Sequence, residues 1–185
     1  MGFLVRASKT LTLWHGGNLD YAEDYIAHKG GRWEHGPGLY LITTYSIAKK
    51  YAKGSRKLYR VVISEGHDIK DATIPAEDVK EFLRLYCIKK KLKEVAERLE
   101  KYTKDGKVQA ENFVTILMNN EAIKNTDTDE LRRFLVTHGI DYWIADNMFG
   151  FTNRMVVLFN NKKIVSKERM SGKEIEVFDL PTRFS

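Results

Sequence analysis

Cysteine, proline and long apolar runs are all scarce in this chain. Cys87 is the single cysteine among 185 residues, which excludes an internal disulfide and a cysteine-based zinc site. The chain has three prolines and no low-complexity stretch that would act as a linker. We therefore predict one domain over residues 1–185, long enough to bury about two-thirds of the surface of the unfolded chain.

No apolar run approaches membrane-spanning length, and the first ten residues, MGFLVRASKT, lack the apolar core of a signal peptide. We expect a cytoplasmic protein with no membrane partner. Hydrophobic residues at 43% and aromatic residues at 11% indicate a packed globule. The histidines lack the spacing of paired metal ligands, so no metal site is expected.

Positive charge exceeds negative charge, with 31 lysines and arginines against 25 acidic residues and a net charge of +6. This excess favours an anionic partner, nucleic acid first and an acidic protein second, although it is also within the range of an ordinary surface. The basic run at residues 89–93 is most simply a solvated helix face. A phosphate-contacting patch and an inhibitor-docking surface are its alternatives.

Two periodicities divide the chain. Alternation and β-branched residues predict strands at 10–14, 39–42, 57–64, 142–145, 155–159 and 174–178. Helical spacing predicts a helix at 19–28, another capped by Thr44 or Ser46, and an all-helical block at 76–138. The order of strands, helices and strands predicts an α+β fold, in which a helical insertion packs beside a split, mostly antiparallel sheet.

Two short motifs carry the strongest local pattern. His15-Gly16 ends the first predicted strand, and Gly36-Pro37-Gly38-Leu39-Tyr40 opens the second. Tyr51 follows on the next predicted helix. A glycine lets the backbone approach a ligand closely because it has no Cβ, and aromatic faces suit a flat ring.

In their order and spacing these motifs resemble the NAD+ pocket of ADP-ribosyltransferases of the diphtheria-toxin and poly(ADP-ribose) polymerase branch. The resemblance implies a split sheet around an NAD+ cleft, with NAD+ as co-substrate and no metal. His15 would bind the adenosine-side ribose, and the Gly16 backbone would clasp the nicotinamide carboxamide. Tyr40, presented by the Gly38 element, and Tyr51 would stack on the nicotinamide ring.

The chain departs from the family pattern at two places. Ala48 stands where the polymerases have a serine that bonds the carboxamide, so one amide contact is missing. The family's third motif is a glutamate at the start of a late strand. The best register puts Met155 there, and slips of one or two residues put Arg154 or Asn153 there. None is a carboxylate, so the chain resembles the His-Tyr-x type, for which single transfer is expected and chain elongation is not.

The segment that ends at Arg154 occupies the place of the family's acceptor-reading loop. Asp146, Asn153 and Arg154 are candidates to compensate for the missing glutamate, while Phe149 and Phe151 are candidates to stack on a base. The expected function is mono-ADP-ribosyl transfer from NAD+ to a macromolecule, with nucleic acid, and RNA in particular, as the favoured acceptor.

Three alternatives stay open: a protein acceptor, a catalytically inactive NAD- or ADP-ribose-binding module, and an NAD-dependent RNA 2′-phosphotransferase. The last shares the fold but needs pocket arginines, for which only Arg32 and Arg154 are candidates. The family's habits also suggest the toxin of a toxin–antitoxin or phage-defence system, with an antitoxin or other inhibitor protein as a partner.

Overall fold

The fold combines a six-stranded sheet, a three-stranded sheet and five helices within the residues that the computed structural model describes, which are 9–19, 35–52, 57–146 and 154–170. In chain order the elements are β1 (Thr10–Gly16), β2 (Leu39–Ile42), α1 (Tyr45–Tyr51), β3 (Leu58–Ser64), β4 (Thr73–Pro75), α2 (Ala76–Tyr86), α3 (Leu92–Glu100), β5 (Thr103–Lys104), β6 (Lys107–Gln109), α4 (Ala110–Asn119), α5 (Thr128–Thr137), β7 (Tyr142–Asp146), β8 (Arg154–Leu158) and β9 (Ile164–Arg169). The class is therefore α+β, as predicted.

The six-stranded sheet has the order β7-β8-β2-β1-β3-β9, and each of its strand pairings is antiparallel. Because side chains alternate between faces, the sheet has two apolar sides. One side buries a cluster that includes Leu13, Leu41, Val61, Val156 and Leu158. The other packs Trp143, Met155 and Val157 against the helical region through Phe113, Leu117 and Leu135.

The helix α1 covers a third, smaller cluster beside β1. It contains Trp14, Ile42, Tyr45, Ala48, Ala52 and Leu58. The helix begins after Thr44, the first of the two predicted cap residues. Trp14 and Tyr45 meet edge to face, with ring centroids 5.4 Å apart, a geometry that aromatic pairs favour. This packing fixes α1 against the end of β1.

The region from 76 to 138 is not all-helical, which corrects the prediction. Between α3 and α4 the chain forms a hairpin, β5–β6, which pairs with β4 into the three-stranded sheet. Its turn is Asp105-Gly106, with φ values of 50° and 72°. A two-residue hairpin turn requires positive φ at both central positions, and Asp-Gly is well suited to it.

The predicted strands at 10–14, 39–42, 57–64, 142–145 and 155–159 correspond to β1, β2, β3, β7 and β8, with bounds that differ by at most two residues. The strand β9 was not predicted, because its residues after Ile164 are exposed and mostly polar. The predicted strand at 174–178 lies outside the described residues, as does the helix at 19–28 after its first residue. Within the described ranges, no helix is long and apolar enough to cross a membrane.

Candidate functional site

The candidate site lies where β1 and β2 separate. The two strands share one paired position, Trp14 with Ile42. In contrast, β1 pairs with β3 along its whole length, and β2 pairs with β8 along its whole length. If the β1–β2 ladder continued, Gly16 would lie opposite Tyr40. The sheet is therefore open along this seam, on the Gly16 side of the Trp14 pair.

The backbone of Gly16 points into the open seam. Gly17 N–H donates to the carbonyl oxygen of Lys57 at 3.0 Å. The carbonyl oxygen of Leu58 is turned away from β1, since it accepts the Met170 N–H at 2.9 Å. Gly16 is paired with Leu58 across β1 and β3. Successive residues of an antiparallel strand turn their N–H and C=O groups to opposite sides. Because Gly17 uses its N–H toward β3, the N–H and C=O of Gly16 face away from β3, toward β2.

Gly16 also lies directly against α1. A Cβ at this position would collide with the carbonyl oxygen of Ala48 and lie 2.8 Å from the backbone nitrogen of Ala52. Ala48 itself is buried. The structure thus brings together Gly16 and Ala48, two residues that the sequence assigned to one pocket, and no side chain larger than hydrogen fits between them.

His15 occupies the opening next to Gly16. Its Nδ1 lies 2.9 Å from the carbonyl oxygen of Tyr40. A carbonyl oxygen only accepts, so Nδ1 carries the hydrogen in this bond, and in the neutral ring Nε2 is then an acceptor. A Cβ on residue 17 would come within 2.6 Å of Nε2. Glycine at 17 therefore keeps residue 17 clear of that ring nitrogen.

Tyr40 contacts His15 through the Tyr40 backbone carbonyl, whereas the Tyr40 ring packs away from His15. The ring is partly buried and packs against the core shared with the helical region. The hydroxyl donates to the carbonyl oxygen of Gly36 at 2.9 Å and accepts from the backbone N–H of His35 at 3.4 Å. These bonds anchor the ring to the loop before β2.

The glycines of that loop are required by its packing. Gly36 has φ +90°, a conformation that favours glycine. A Cβ on Gly38 would lie 2.7 Å from the carbonyl oxygen of Leu158 and 2.8 Å from Val157 Cγ1. Both glycines thus have a structural reason to be there, whether or not a ligand binds.

Tyr51 lies at the C-terminal end of α1 and is 63% exposed. It follows Ala48 by almost one helical turn, so both project from the end of α1 that packs on Gly16. An exposed tyrosine at this position presents an aromatic face that the apolar core does not use.

The third-motif position is occupied by a core residue. Met155 is paired with Ile42 on one side and with Ala145 on the other. It is buried and belongs to the core cluster beneath the helices. The Met155 side chain therefore contributes to the core, and this position carries no carboxylate.

Arg154 and Asp146 form an ion pair at the neighbouring position. Arg154 Nε lies 2.7 Å from Asp146 Oδ1, and both side chains are partly exposed. Lys70 Nζ lies 3.4 Å from the second oxygen, Asp146 Oδ2. The backbone of Arg154 is fixed by the buried Thr43, whose Oγ1 accepts its N–H at 3.1 Å and whose N–H donates to its carbonyl oxygen at 3.0 Å. Asp146 is therefore a carboxylate that lies on β7 beside Met155, the residue at the predicted third-motif position.

Asp68 supports the Lys70 side of this cluster. Its Oδ1 accepts the backbone N–H of Lys70 at 3.1 Å, and its Oδ2 accepts that of Ile144 at 3.3 Å. Burial raises the pKa of this carboxyl, and the two hydrogen bonds only partly offset that rise. Sequence reasoning missed Thr43, Asp68 and Lys70. The one local signal was the position of Thr43, directly after β2.

Asn153, Phe149 and Phe151, the other predicted members of the acceptor loop, lie outside the described residues. In the part of the chain that the structure describes, no three histidine, cysteine, aspartate or glutamate residues come together as a metal site requires. Comparison of the chain with models of protein families, with curated proteins and with solved structures gave no match.

Proposed function

We propose that the protein is a mono-ADP-ribosyltransferase that transfers ADP-ribose from NAD+ to nucleic acid, with RNA the favoured acceptor, in a cleft formed where the sheet splits. The observation that carries the proposal is the orientation of the Gly16 backbone. Its N–H and C=O face the open seam between β1 and β2. A primary carboxamide has one acceptor oxygen and an NH₂ donor, so a paired backbone donor and acceptor match the amide of nicotinamide.

The other residues at the seam suit the rest of the cofactor. His15 Nε2, an acceptor when Nδ1–H is bonded to Tyr40, would hold a ribose hydroxyl and so position the sugar. Tyr51 would supply an exposed ring face for the nicotinamide. Ala48, in contact with Gly16, offers no hydroxyl, so the carboxamide would depend on the Gly16 backbone alone.

In the reaction the bond between C1′ of the ribose and the nicotinamide nitrogen breaks, and nicotinamide leaves with the electron pair as a neutral base. The acceptor oxygen or nitrogen then bonds to C1′ and loses its proton. Among the described residues Asp146 is the carboxylate beside the third-motif position, and it is ion-paired with Arg154 and Lys70. It would serve as the proton acceptor or as a negative charge near the oxocarbenium.

The test is incubation with NAD+ labelled in the adenosine part and separate pools of RNA, DNA and protein, with released nicotinamide measured in parallel. We expect label on RNA and a matching yield of nicotinamide. Label on protein alone would replace nucleic acid with a protein acceptor. NAD+ binding without any nicotinamide release would establish the second candidate function, an inactive NAD-binding module, which the buried Met155 favours.

Pocket variants test the assignment of residues. His15→Ala and Tyr51→Ala should each weaken NAD+ binding, the second by about 1–3 kcal/mol for a lost stacking face. Tyr40→Ala should also lower stability, because the Tyr40 hydroxyl holds the preceding loop. His67→Ala is the matched control, since the His67 side chain is largely exposed. Unchanged NAD+ affinity in the folded His15 and Tyr51 variants would refute the site.

A further inference from the structure

The β5–β6 hairpin carries an unbalanced patch of positive charge. Residues 101–107, with the sequence KYTKDGK and here named the basic hairpin, are all exposed. Three lysines, Lys101, Lys104 and Lys107, stand beside a single acidic residue, Asp105. Among the described residues no ion pair engages these lysines, whereas the acids at the start of the neighbouring α2 are engaged, Glu77 by Lys80 at 2.7 Å and Asp78 by His138 at 3.1 Å.

Two of the three lysines are held close together by the fold. Lys104 and Lys107 are directly opposite each other across the hairpin, an arrangement that like charges make unfavourable. The Asp105-Gly106 turn fixes this pairing, and Gly106 is tied to α2 because its carbonyl oxygen accepts the Ala76 N–H at 2.8 Å. A bound anion would relieve the repulsion that the hairpin imposes.

An aromatic ring accompanies the charge. Tyr102 is 50% exposed, although it lies in an ordered segment whose backbone N–H donates to Leu99 at 2.9 Å. Thr103 Oγ1 donates to the same carbonyl oxygen at 3.0 Å. An exposed aromatic ring on an ordered backbone between lysines is the combination that single-stranded nucleic acid uses, since its bases stack on rings and its phosphates need cations. An acidic peptide would use the lysines but not the ring.

The hairpin is connected to the candidate site. Gln109, at the other end of β6, donates from Nε2 to the Lys70 carbonyl oxygen at 2.6 Å, and Lys70 Nζ contacts Asp146. Lys107 lies two residues from Gln109, about 7 Å along the strand. The Gln109 end of the hairpin is therefore linked through Lys70 to the Asp146–Arg154 pair.

We infer that the basic hairpin is a docking element for single-stranded nucleic acid, in which Lys101, Lys104 and Lys107 contact phosphates and Tyr102 stacks on a base. The inference rests on the proposed function in one respect, because it locates the acceptor strand of that reaction. Binding itself needs no NAD+, so it is tested separately from transfer.

The experiment measures the affinity of the full chain for a fluorescent single-stranded RNA, without NAD+, over a range of salt concentrations. The hairpin variant carries Lys101→Gln, Lys104→Gln and Lys107→Gln. We expect its affinity to fall at least tenfold at low salt, and the slope of log K against log salt to become shallower by about 2, since each single-strand phosphate contact contributes about 0.7.

The matched control carries Lys90→Gln, Lys124→Gln and Lys162→Gln, which remove the same charge from exposed positions elsewhere. It should retain most of the affinity and the slope. Arginine at the three hairpin positions should preserve binding. Tyr102→Ser should lower affinity without changing the salt slope, whereas Tyr102→Phe, which keeps the ring, should retain the affinity. Thermal unfolding establishes that each variant is folded.

Several outcomes overturn the inference. They are an absence of RNA binding by the unaltered chain, equal losses in the hairpin variant and the control, and competition by poly-glutamate as strong as that by RNA, which would make the hairpin a protein interface. If RNA binds through the hairpin but is never modified, the proposed function fails and the docking element stands. If the hairpin variant modifies RNA as well as the unaltered chain does, the docking element fails and the proposed function stands.

Discussion

At the scale of single residues, the packing of α1 leaves room for glycine alone at position 16. The Gly16 Cα lies against the backbone of α1 at Ala48 and Ala52, where an added Cβ would collide. The backbone groups of Gly16 face the open seam of the sheet, and on the proposed function they would bind the nicotinamide carboxamide. A substitution at this position therefore tests the packing of α1 directly.

Gly16→Ala should destabilise the protein by about 1–3 kcal/mol, because an added Cβ forces α1 away from β1. Gly139→Ala shows the opposite case: Gly139 has φ +76°, and a Cβ there meets nothing within 4 Å, so its cost of about 1–2 kcal/mol would come from backbone strain alone. Chemical denaturation measures both. A loss below about 0.5 kcal/mol for Gly16→Ala would show that the helix does not restrict this position.

The site could be predicted from the sequence only in part, and residue by residue the reason is visible. His15, Gly16 and Ala48 stand in short motifs, and the structure does bring them together. Thr43 contacts Arg154 and Lys70 contacts Asp146, in each case across a long stretch of sequence. No local sequence pattern predicts such contacts. Alternation along β2 predicts that the Tyr40 ring lies on the opposite face of the sheet from Leu39 and Leu41, and this is the face on which it packs.

At the scale of elements, the basic run at 89–93 divides into two roles. Lys91 Nζ donates to the carbonyl oxygens of Asn120 at 2.5 Å and Glu121 at 3.0 Å, just past the end of α4. Carbonyl oxygens at a helix C-terminus lack helical partners, and a lysine there satisfies them. Lys89 and Lys90 are exposed, as the simplest interpretation of the run predicted.

We expect Lys91→Ala to lower the free energy of unfolding by about 1–2 kcal/mol through the loss of these charged hydrogen bonds. Lys89→Ala and Lys90→Ala should each stay within about 0.5 kcal/mol of the unaltered protein. Urea denaturation of the three variants provides the comparison. Similar values for all three would mean that Lys91 does not stabilise the end of α4.

Asp68 makes the short turn after β3 sensitive to pH. Burial raises the pKa of its carboxyl in the folded state, so the folded protein binds this proton more tightly than the unfolded chain does. Stability from this group is therefore present at low pH and decreases as the pH rises through the window that begins near the ordinary carboxyl value of about 4.

Asp68→Asn removes this titration. The stability of the unaltered protein minus that of the variant should decrease as the pH rises through that window, when measured by denaturation at a series of pH values. Glu100→Gln, which removes an exposed carboxyl at the end of α3, serves as the comparison for effects of net charge. A difference that grows with pH would contradict the role given to burial.

The length of a strand decides whether its sequence pattern predicts it. The strands β1, β2, β3, β7 and β8 were predicted because buried strands of this sheet have apolar alternation over four residues or more. The strands β5 and β6 have two and three residues, too few for any periodicity to appear. Only the Asp105-Gly106 turn signalled the hairpin, and the helical stripes on both sides masked it.

At the scale of the whole molecule, the order of the strands decides what chemistry is available. The sheet places β8 beside β2, so the third-motif position adjoins the strand that carries Tyr40. There the chain has Met155 in the core, and Asp146 reaches the region only from β7, paired to Arg154. In the family that the motifs resemble, elongation depends on a glutamate at this position, and a buried methionine cannot activate a ribose hydroxyl of a growing polymer.

We therefore expect single ADP-ribose units on the acceptor and no chains. With NAD+ labelled in the adenosine part, digestion of the product by a phosphodiesterase should yield one labelled fragment and none of the branched or internal fragments that polymer gives. Met155→Glu should not by itself create elongation, since residue 155 packs into the core, and burying a carboxylate there should instead cost several kcal/mol of stability.

Asp146→Asn should reduce transfer while leaving NAD+ affinity within about threefold, because Asp146 is assigned to the acceptor step. Polymer ladders from the unaltered protein, or full transfer by the Asp146 variant, would show that another group performs this step.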